Sequence, residues 1–238
     1  MVPVPHSRFT TNGDTRIHYL DSGGEDQGAP IVFVPGMTDV AEDYMEILPL
    51  LGRRTVVVEL RGHGRSDAPQ SGYDLATLSA DVGAVVDAVS HGPVHVMTFS
   101  RGTTYAIAWA VENPHRVASL AIGDYVPAEI VLPDEHVQRL LDGRWRGSPV
   151  RERLNYDAAV KTFRAAQGAS YWEALSALQF PLLVVRSPNS PLVDDAAWAR
   201  YHRLFPSAEL HEFHDSPHDI FRPDRGRFPK LVRELTDR

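Results

Sequence analysis

The sequence predicts an α/β protein: a mostly parallel, doubly wound sheet of about eight strands, with helices on both faces and a helical cap inserted over one end of the sheet. Three observations predict it. Short β-branched runs alternate along the chain with stretches whose apolar residues recur at helical spacing, the pattern of strands buried on both faces and joined by packed helices. No internal repeat or low-complexity tract interrupts that alternation. One interval, residues 125–181, is far longer than a usual connection and is rich in Pro, Arg, Trp and Tyr. A chain of 238 residues can bury a sizeable core as one large domain with an insertion. The expected division is therefore 1–124 with 182–238 as the core and 125–181 as the cap.

Residues 8–22 alternate polar and apolar around Asn12-Gly13 and read as an antiparallel hairpin with a tight turn. A polar, Gly-rich loop (22–28) leads to the buried strands IVFVPG (31–36) and TVVVEL (55–60), with AEDYMEILPLL (41–51) expected as a helix between them. Leu75, Leu78, Val82, Val85 and Val86 share one face of a helix over 74–90, and PVHVMT (93–98) is the next strand. A helix over 102–113 ends at Pro114, and strand VASLAIGD (117–124) follows. Beyond the long interval come strand LLVVRS (182–187), a helix over 194–205, strand AELHEF (208–213) and a terminal helix near 224–237. The long interval belongs over the carboxyl edge of the sheet, where open α/β sheets place their ligands.

Composition narrows the function. A formal charge of −7 sets aside nucleic acid and anionic membrane surfaces as principal partners and fits a small-molecule substrate. With no cysteine, covalent catalysis falls to Ser, Thr, Asp, Glu, Lys or Tyr. The start MVPVPHSRFTTNG has no basic segment followed by an apolar core, and no apolar run is long enough to span a bilayer, so a cytoplasmic location is expected. No metal-ligand spacing and no phosphate-cradling glycine loop is present, so no metal and no cofactor is expected. A homodimer stays open.

The stretch Thr98-Phe99-Ser100-Arg101-Gly102 follows a predicted strand and opens a predicted helix. A nucleophilic serine needs such a sharp strand-to-helix turn, where small neighbours let the two elements approach and leave the hydroxyl exposed. The plainer reading is a serine that caps the helix.

The chain resembles the α/β-hydrolase family over nearly its whole length except the cap. The resemblance rests on Val34-Pro35-Gly36-Met37-Thr38-Asp39, on the segment from Glu59 to Pro69 (ELRGHGRSDAP), on the turn at Ser100, and on the segment from Ser216 to Asp224 (SPHDIFRPD). Four positions depart from the family pattern: Thr98 for the first turn glycine, Pro35 for a frequent His, Glu59 for the usual Asp, and Pro217 for the glycine before the catalytic His. The motifs F-S-R-G and Gly123-Asp124-Tyr125 are similar to those of a bacterial subgroup of these hydrolases.

The resemblance implies a serine nucleophile at Ser100, a general base at His218 in the loop before the final helix, and oxyanion donors in the main-chain N–H groups of Met37 and Arg101. His211 and His214 are competitors by proximity in sequence. The acid is expected at Asp124, since the loop after LLVVRS reads Ser187-Pro188-Asn189-Ser190-Pro191 without a carboxylate; Asp194 and Asp195 are alternatives that more simply cap the helix beside them. The Arg101 side chain reads at least as readily as a surface or salt-bridged group as a binding one. Trp145 and Tyr125 are candidate pocket residues, whereas Tyr156, Tyr171 and Trp172 are expected mainly to pack. The cap arginines Arg144, Arg146, Arg151 and Arg153 are expected on a solvated face.

The function these residues imply is a serine hydrolase that cleaves a carboxylic ester, lactone or thioester through an acyl-enzyme. The alternatives are non-hydrolytic use of the same site (acyl transfer, cyclisation or C–C bond chemistry) and a catalytically silent ligand-binding relative. Epoxide hydrolysis and dehalogenation fit less well, because in this family they use an Asp where Ser100 stands.

Overall fold

The computed structural model describes residues 5–24 and 28–238; residues 1–4, and residues 25–27 of the expected polar loop, lie outside the described residues. The chain opens with the hairpin β1 (His6–Asn12) and β2 (Thr15–Asp21), then β3 (Ile31–Val34), β4 (Thr55–Glu59), α1 (Leu75–Val89), β5 (Val94–Phe99), α2 (Gly102–Glu112) and β6 (Val117–Gly123). The segment 125–181 holds α3 (Asp134–Leu141), a two-stranded ribbon of β7 (Arg144–Trp145) and β8 (Ser148–Pro149), α4 (Tyr156–Ala165) and α5 (Trp172–Ser176). After it come β9 (Leu182–Arg186), α6 (Asp195–Leu204), β10 (Glu209–Glu212) and α7 (Arg227–Thr236).

Eight strands form one sheet in the order β1-β2-β4-β3-β5-β6-β9-β10, antiparallel at the hairpin end and parallel from β4 to β10. Strand alternation sorts the core into two layers. Val32, Val34, Val56, Val58, Val96, Ile122 and Val184 face α1, α2, α5 and α6. Ile31, Phe33, Val57, Met97, Phe99, Leu183 and Val185 face α7 and the 41–51 segment. A third, smaller cluster joins Val137, Leu141, Val150, Leu154 and Phe163 of the long segment to Met37. Among the described residues, no helix is long and apolar enough to cross a membrane.

Three expectations need correction. The 41–51 segment is not one α-helix but two 3₁₀ turns, Ala41–Tyr44 and Leu48–Leu51. Its main-chain bonds join residues three apart, as from the Ile47 amide to the Tyr44 carbonyl at 3.0 Å and from the Leu50 amide to the Ile47 carbonyl at 2.9 Å, and Pro49 brings no N–H to an α-helical ladder. The first hairpin turns at Gly13-Asp14 rather than Asn12-Gly13, because Asn12 pairs with Thr15 and its side chain reaches Asp81 at 2.8 Å. The 125–181 segment is not purely helical: at the tip of its ribbon Arg146 and Gly147 both have positive φ, 48° and 88°, the backbone of a two-residue hairpin whose twist matches its strands.

Candidate active site

β5 ends at Phe99, and the chain turns at Ser100 with φ 52°, a left-handed conformation that costs a non-glycine residue about 1–3 kcal/mol. The turn is held on both sides. The Ser100 amide donates to the Gly123 carbonyl at 2.9 Å, and the Ser100 carbonyl accepts from the Thr103 amide at 3.0 Å. Gly102 is required by close approach, since a Cβ there would lie 2.0 Å from the Pro35 carbonyl oxygen. Thr98, where the family pattern has glycine, stays within β5, paired with Val34 and Ile122. Its hydroxyl donates to the Ala121 carbonyl at 3.1 Å and accepts from Thr103 Oγ1 at 2.9 Å, so the buried polar group is satisfied.

His218 lies across this turn. Its Nε2 is 2.9 Å from Ser100 Oγ and its Nδ1 is 2.7 Å from Asp124 Oδ2. Its ring stacks on Phe99, with centroids 5.0 Å apart. Asp124 follows β6 directly, is fully buried, and has φ 45°. Its second oxygen accepts from the Ser187 amide at 2.8 Å, which fixes the carboxylate plane. The competitors are occupied elsewhere. Asp194 caps α6 through the Ala197 amide at 2.8 Å, and Asp195 pairs with Arg186 at 2.9 Å. His211 lies in β10, while His214 is exposed beside Glu212. Pro217 sits before His218 in backbone that has no positive φ, so no glycine is needed there.

The main-chain N–H groups of Met37 and Arg101 donate to no acceptor among the described residues. The loop that carries Met37 is pinned from two directions. His63 Nε2 lies 2.9 Å from the Met37 carbonyl oxygen, and burial pushes the His63 pKa down. Asp39, fully buried, accepts from the Gly36 amide at 3.0 Å and from Trp145 Nε1 at 2.7 Å. Its pKa is raised from 3.8 to about 6, mainly by burial, with Asp43 adding to the rise while Arg146 and Trp145 oppose it.

Here the cap arginines depart from expectation. Arg146 is not solvated: it grips Asp219 through two bonds of 2.9 and 3.1 Å, lies 3.8 Å from Asp39, and sits 4.7 Å from the Tyr44 ring centroid. Arg153 is likewise buried, bonding the Thr38 carbonyl at 2.7 Å and pairing with Asp43. Arg144 and Arg151 do remain exposed. Sequence reasoning missed Asp39, Arg146 and Asp219 as a unit. The only sequence signal was an aspartate closing the V-P-G-M-T-D loop and another directly after His218.

Ser100 and His218 open into a cavity of about 240 Å³ with mostly apolar walls. Both candidate pocket residues, Tyr125 and Trp145, line it. Trp172 packs instead against Tyr201 and Phe205, and Tyr156 lies under Arg151. Arg101 is neither on the surface nor in an ion pair with a described carboxylate. It is buried, and its guanidinium stands 4.6 Å from the centroid of the Phe163 ring in the cavity wall.

A family profile described as "alpha/beta hydrolase fold" matches residues 29–170. A non-heme chloroperoxidase of Streptomyces lividans is 38% identical over 129 residues, which cover 52% of this chain and 46% of that protein. The chain thus spans about half the length of the first curated relatives it matches. Among solved structures, an esterase from Exiguobacterium antarcticum superposes with a TM-score of 0.83 at 18% identity, covering 98% of this chain and 100% of the esterase. An E-2-(acetamidomethylene)succinate hydrolase gives 0.80 at 20% identity, covering 99% and 100%. At these identities the superpositions speak for the fold.

Proposed function

Because the chain belongs to the α/β-hydrolase fold family, we propose that it is a serine hydrolase of small molecules, cleaving a carboxylic ester, lactone or thioester through an acyl-enzyme. One observation carries the reading: His218 bridges Ser100 Oγ at 2.9 Å and Asp124 Oδ2 at 2.7 Å, the arrangement in which a base takes a serine proton while a buried carboxylate holds its tautomer. Asp124 accepts from Nδ1–H, which leaves Nε2 free to receive the hydroxyl proton. Ser100 Oγ attacks the substrate carbonyl carbon, and the developing oxyanion takes hydrogen bonds from the Met37 and Arg101 amides. Removing one such donor typically raises the barrier by about 2.7–4 kcal/mol. His218 then returns the proton to the departing alkoxide or thiolate. In the second half, water attacks the acyl-enzyme, with His218 accepting its proton and returning it to Ser100 as the carboxylic acid leaves.

Residues 125–181 act as the cap in this reading, closing an apolar chamber over the reacting carbonyl. The satisfied hydroxyl of Thr98 and the relaxed backbone at Pro217 support a competent site over a silent one. Ser100→Ala is expected to abolish hydrolysis of a short p-nitrophenyl ester and labelling by a fluorophosphonate probe, with thermal unfolding unchanged. Turnover that survives in that variant overturns the assignment.

A further inference from the structure

Ser100 and Asp124 stand at the ends of adjacent strands, but His218 is carried by the irregular stretch between β10 and α7, and its side chain is a quarter exposed. A base on such a loop keeps its geometry only where neighbouring groups fasten it. Part of the fastening comes from the core: Ile220 and Phe221 are buried, and the Asp219 carbonyl accepts from the Arg222 amide at 2.9 Å. A second hold comes from the tip of the β7–β8 ribbon. There Arg146 sets the fork of its guanidinium against the Asp219 carboxylate, Nε to Oδ2 at 3.1 Å and Nη2 to Oδ1 at 2.9 Å, and both side chains are more than nine-tenths buried. Asp219 is the residue directly after His218.

The same ribbon tip reaches the other loop of the site. Arg146 lies 3.8 Å from Asp39, whose Oδ1 accepts from Trp145 Nε1 and whose Oδ2 accepts from the Gly36 amide, so this carboxylate braces the turn that presents the Met37 amide. Two consecutive ribbon residues thus engage the neighbours of the base and of the oxyanion donor. The backbone is bent to allow it. Arg146 holds φ 48°, a conformation that glycine takes freely and other residues take only where their surroundings hold them. A glycine would close this hairpin tip with less strain but would bring no guanidinium. Exposed ion pairs hold little, but this one is forked and desolvated, so losing the arginine leaves buried carboxylates unmatched.

We infer that Arg146 is a positioning residue for the reaction: through Asp219 and Asp39 it holds the His218 loop and the Met37 loop in one register, so that base and oxyanion donor come together only while the ribbon is seated at the cavity. The inference deepens the hydrolase reading and rests on it for the roles of His218 and Met37. The placement of His218 can be read without turnover.

The test compares Arg146→Met and Arg146→Lys with a control on the same segment, Arg151→Met, whose exposed guanidinium pairs with Asp142. In hydrolysis of a short p-nitrophenyl ester, Arg146→Met should lose about 10- to 100-fold in kcat with KM within about threefold of wild type, because alignment of the reacting groups is what is lost. Arg146→Lys, which keeps the charge without the fork, should regain part of kcat, and Arg151→Met should behave as wild type. Independently, the Nδ1–H proton that His218 directs at Asp124 should give a far-downfield proton resonance in the wild type, broadened or lost in Arg146→Met. His18 is the internal reference: its Nδ1 lies 2.7 Å from Glu59 Oε2, both residues are buried on the neighbouring strands β2 and β4, and its resonance should persist in every folded variant. A kcat within about threefold of wild type, a rise in KM alone, or a His218 resonance as sharp as in the wild type overturns the inference. If both resonances vanish, Arg146→Met has not folded, and Asp219→Asn, which removes the paired charge from the other side, decides by the same criteria. A wild type that hydrolyses no ester while its His218 resonance depends on Arg146 sinks the hydrolase reading alone.

Discussion

Asp39 shows how much a single side chain in the loop after β3 must hold. It accepts from the Gly36 amide and the Trp145 indole and faces Arg146, yet burial lifts its pKa from 3.8 to about 6. A carboxyl whose folded-state pKa lies above its unfolded value binds its proton more tightly when folded. Its contribution to stability is full below the unfolded pKa and is lost as pH rises through the folded one. The wild type should therefore lose on the order of 3 kcal/mol relative to Asp39→Asn between about pH 4 and pH 7, measured by urea unfolding across that range. Parallel profiles for the two proteins would show that Asp39 does not titrate there. The sequence made Ser100, His218 and Asp124 legible because each stands at a strand end or in a loop with its own local signature. It gave no sign that Asp39, Arg146 and Asp219 meet, because their pairings join residues about 70 to 110 positions apart. A run of arginines in an acidic chain reads as a solvated face until the fold supplies buried partners for two of them.

At the level of elements, the strand-turn-helix from β5 to α2 is the piece with least tolerance. Ser100 is held in a left-handed conformation, and α2 begins hard against β3, with room at Gly102 only for hydrogen. Gly102→Ala should destabilise the protein by about 3 kcal/mol, the upper range for overpacking, read from the urea midpoint. A loss under about 1 kcal/mol would mean that β3 and α2 can part without harm. Element type was read well wherever the apolar period was long, as in α1 and the central strands. It was misread at 41–51, whose buried residues suit an α-helix although Pro49 interrupts its ladder, and at 144–149, where two residues per strand give no period at all.

Across the whole molecule, the two sheet faces carry the main core, which includes Trp172 and Leu175 of α5, whereas α3 and α4 share a small cluster of their own that meets the rest of the chain at Met37 and Trp145. Such a unit opens more readily than the sheet beneath it. Amides of α3 and α4 should exchange with solvent at a lower opening free energy than those of β3, β5 and β6 in native-state hydrogen exchange. Uniform protection would mean that segment and sheet open as one. The order of strands was legible in outline from the alternation of runs, but the layering of helices became definite only with the sheet order. Asp124 and Ser100 close neighbouring strands, and the Ser100 amide donates to the Gly123 carbonyl between them. On the proposed reading, the three reacting side chains therefore sit on adjacent strand ends and the loop before the last helix. The turn after β9 steadies Asp124 through the Ser187 amide but supplies none of the three reacting side chains, and further along it Leu192 reaches the cavity wall. A lineage or a laboratory selection can rewrite residues 190–192 to admit a different acyl chain while the reacting groups are inherited intact.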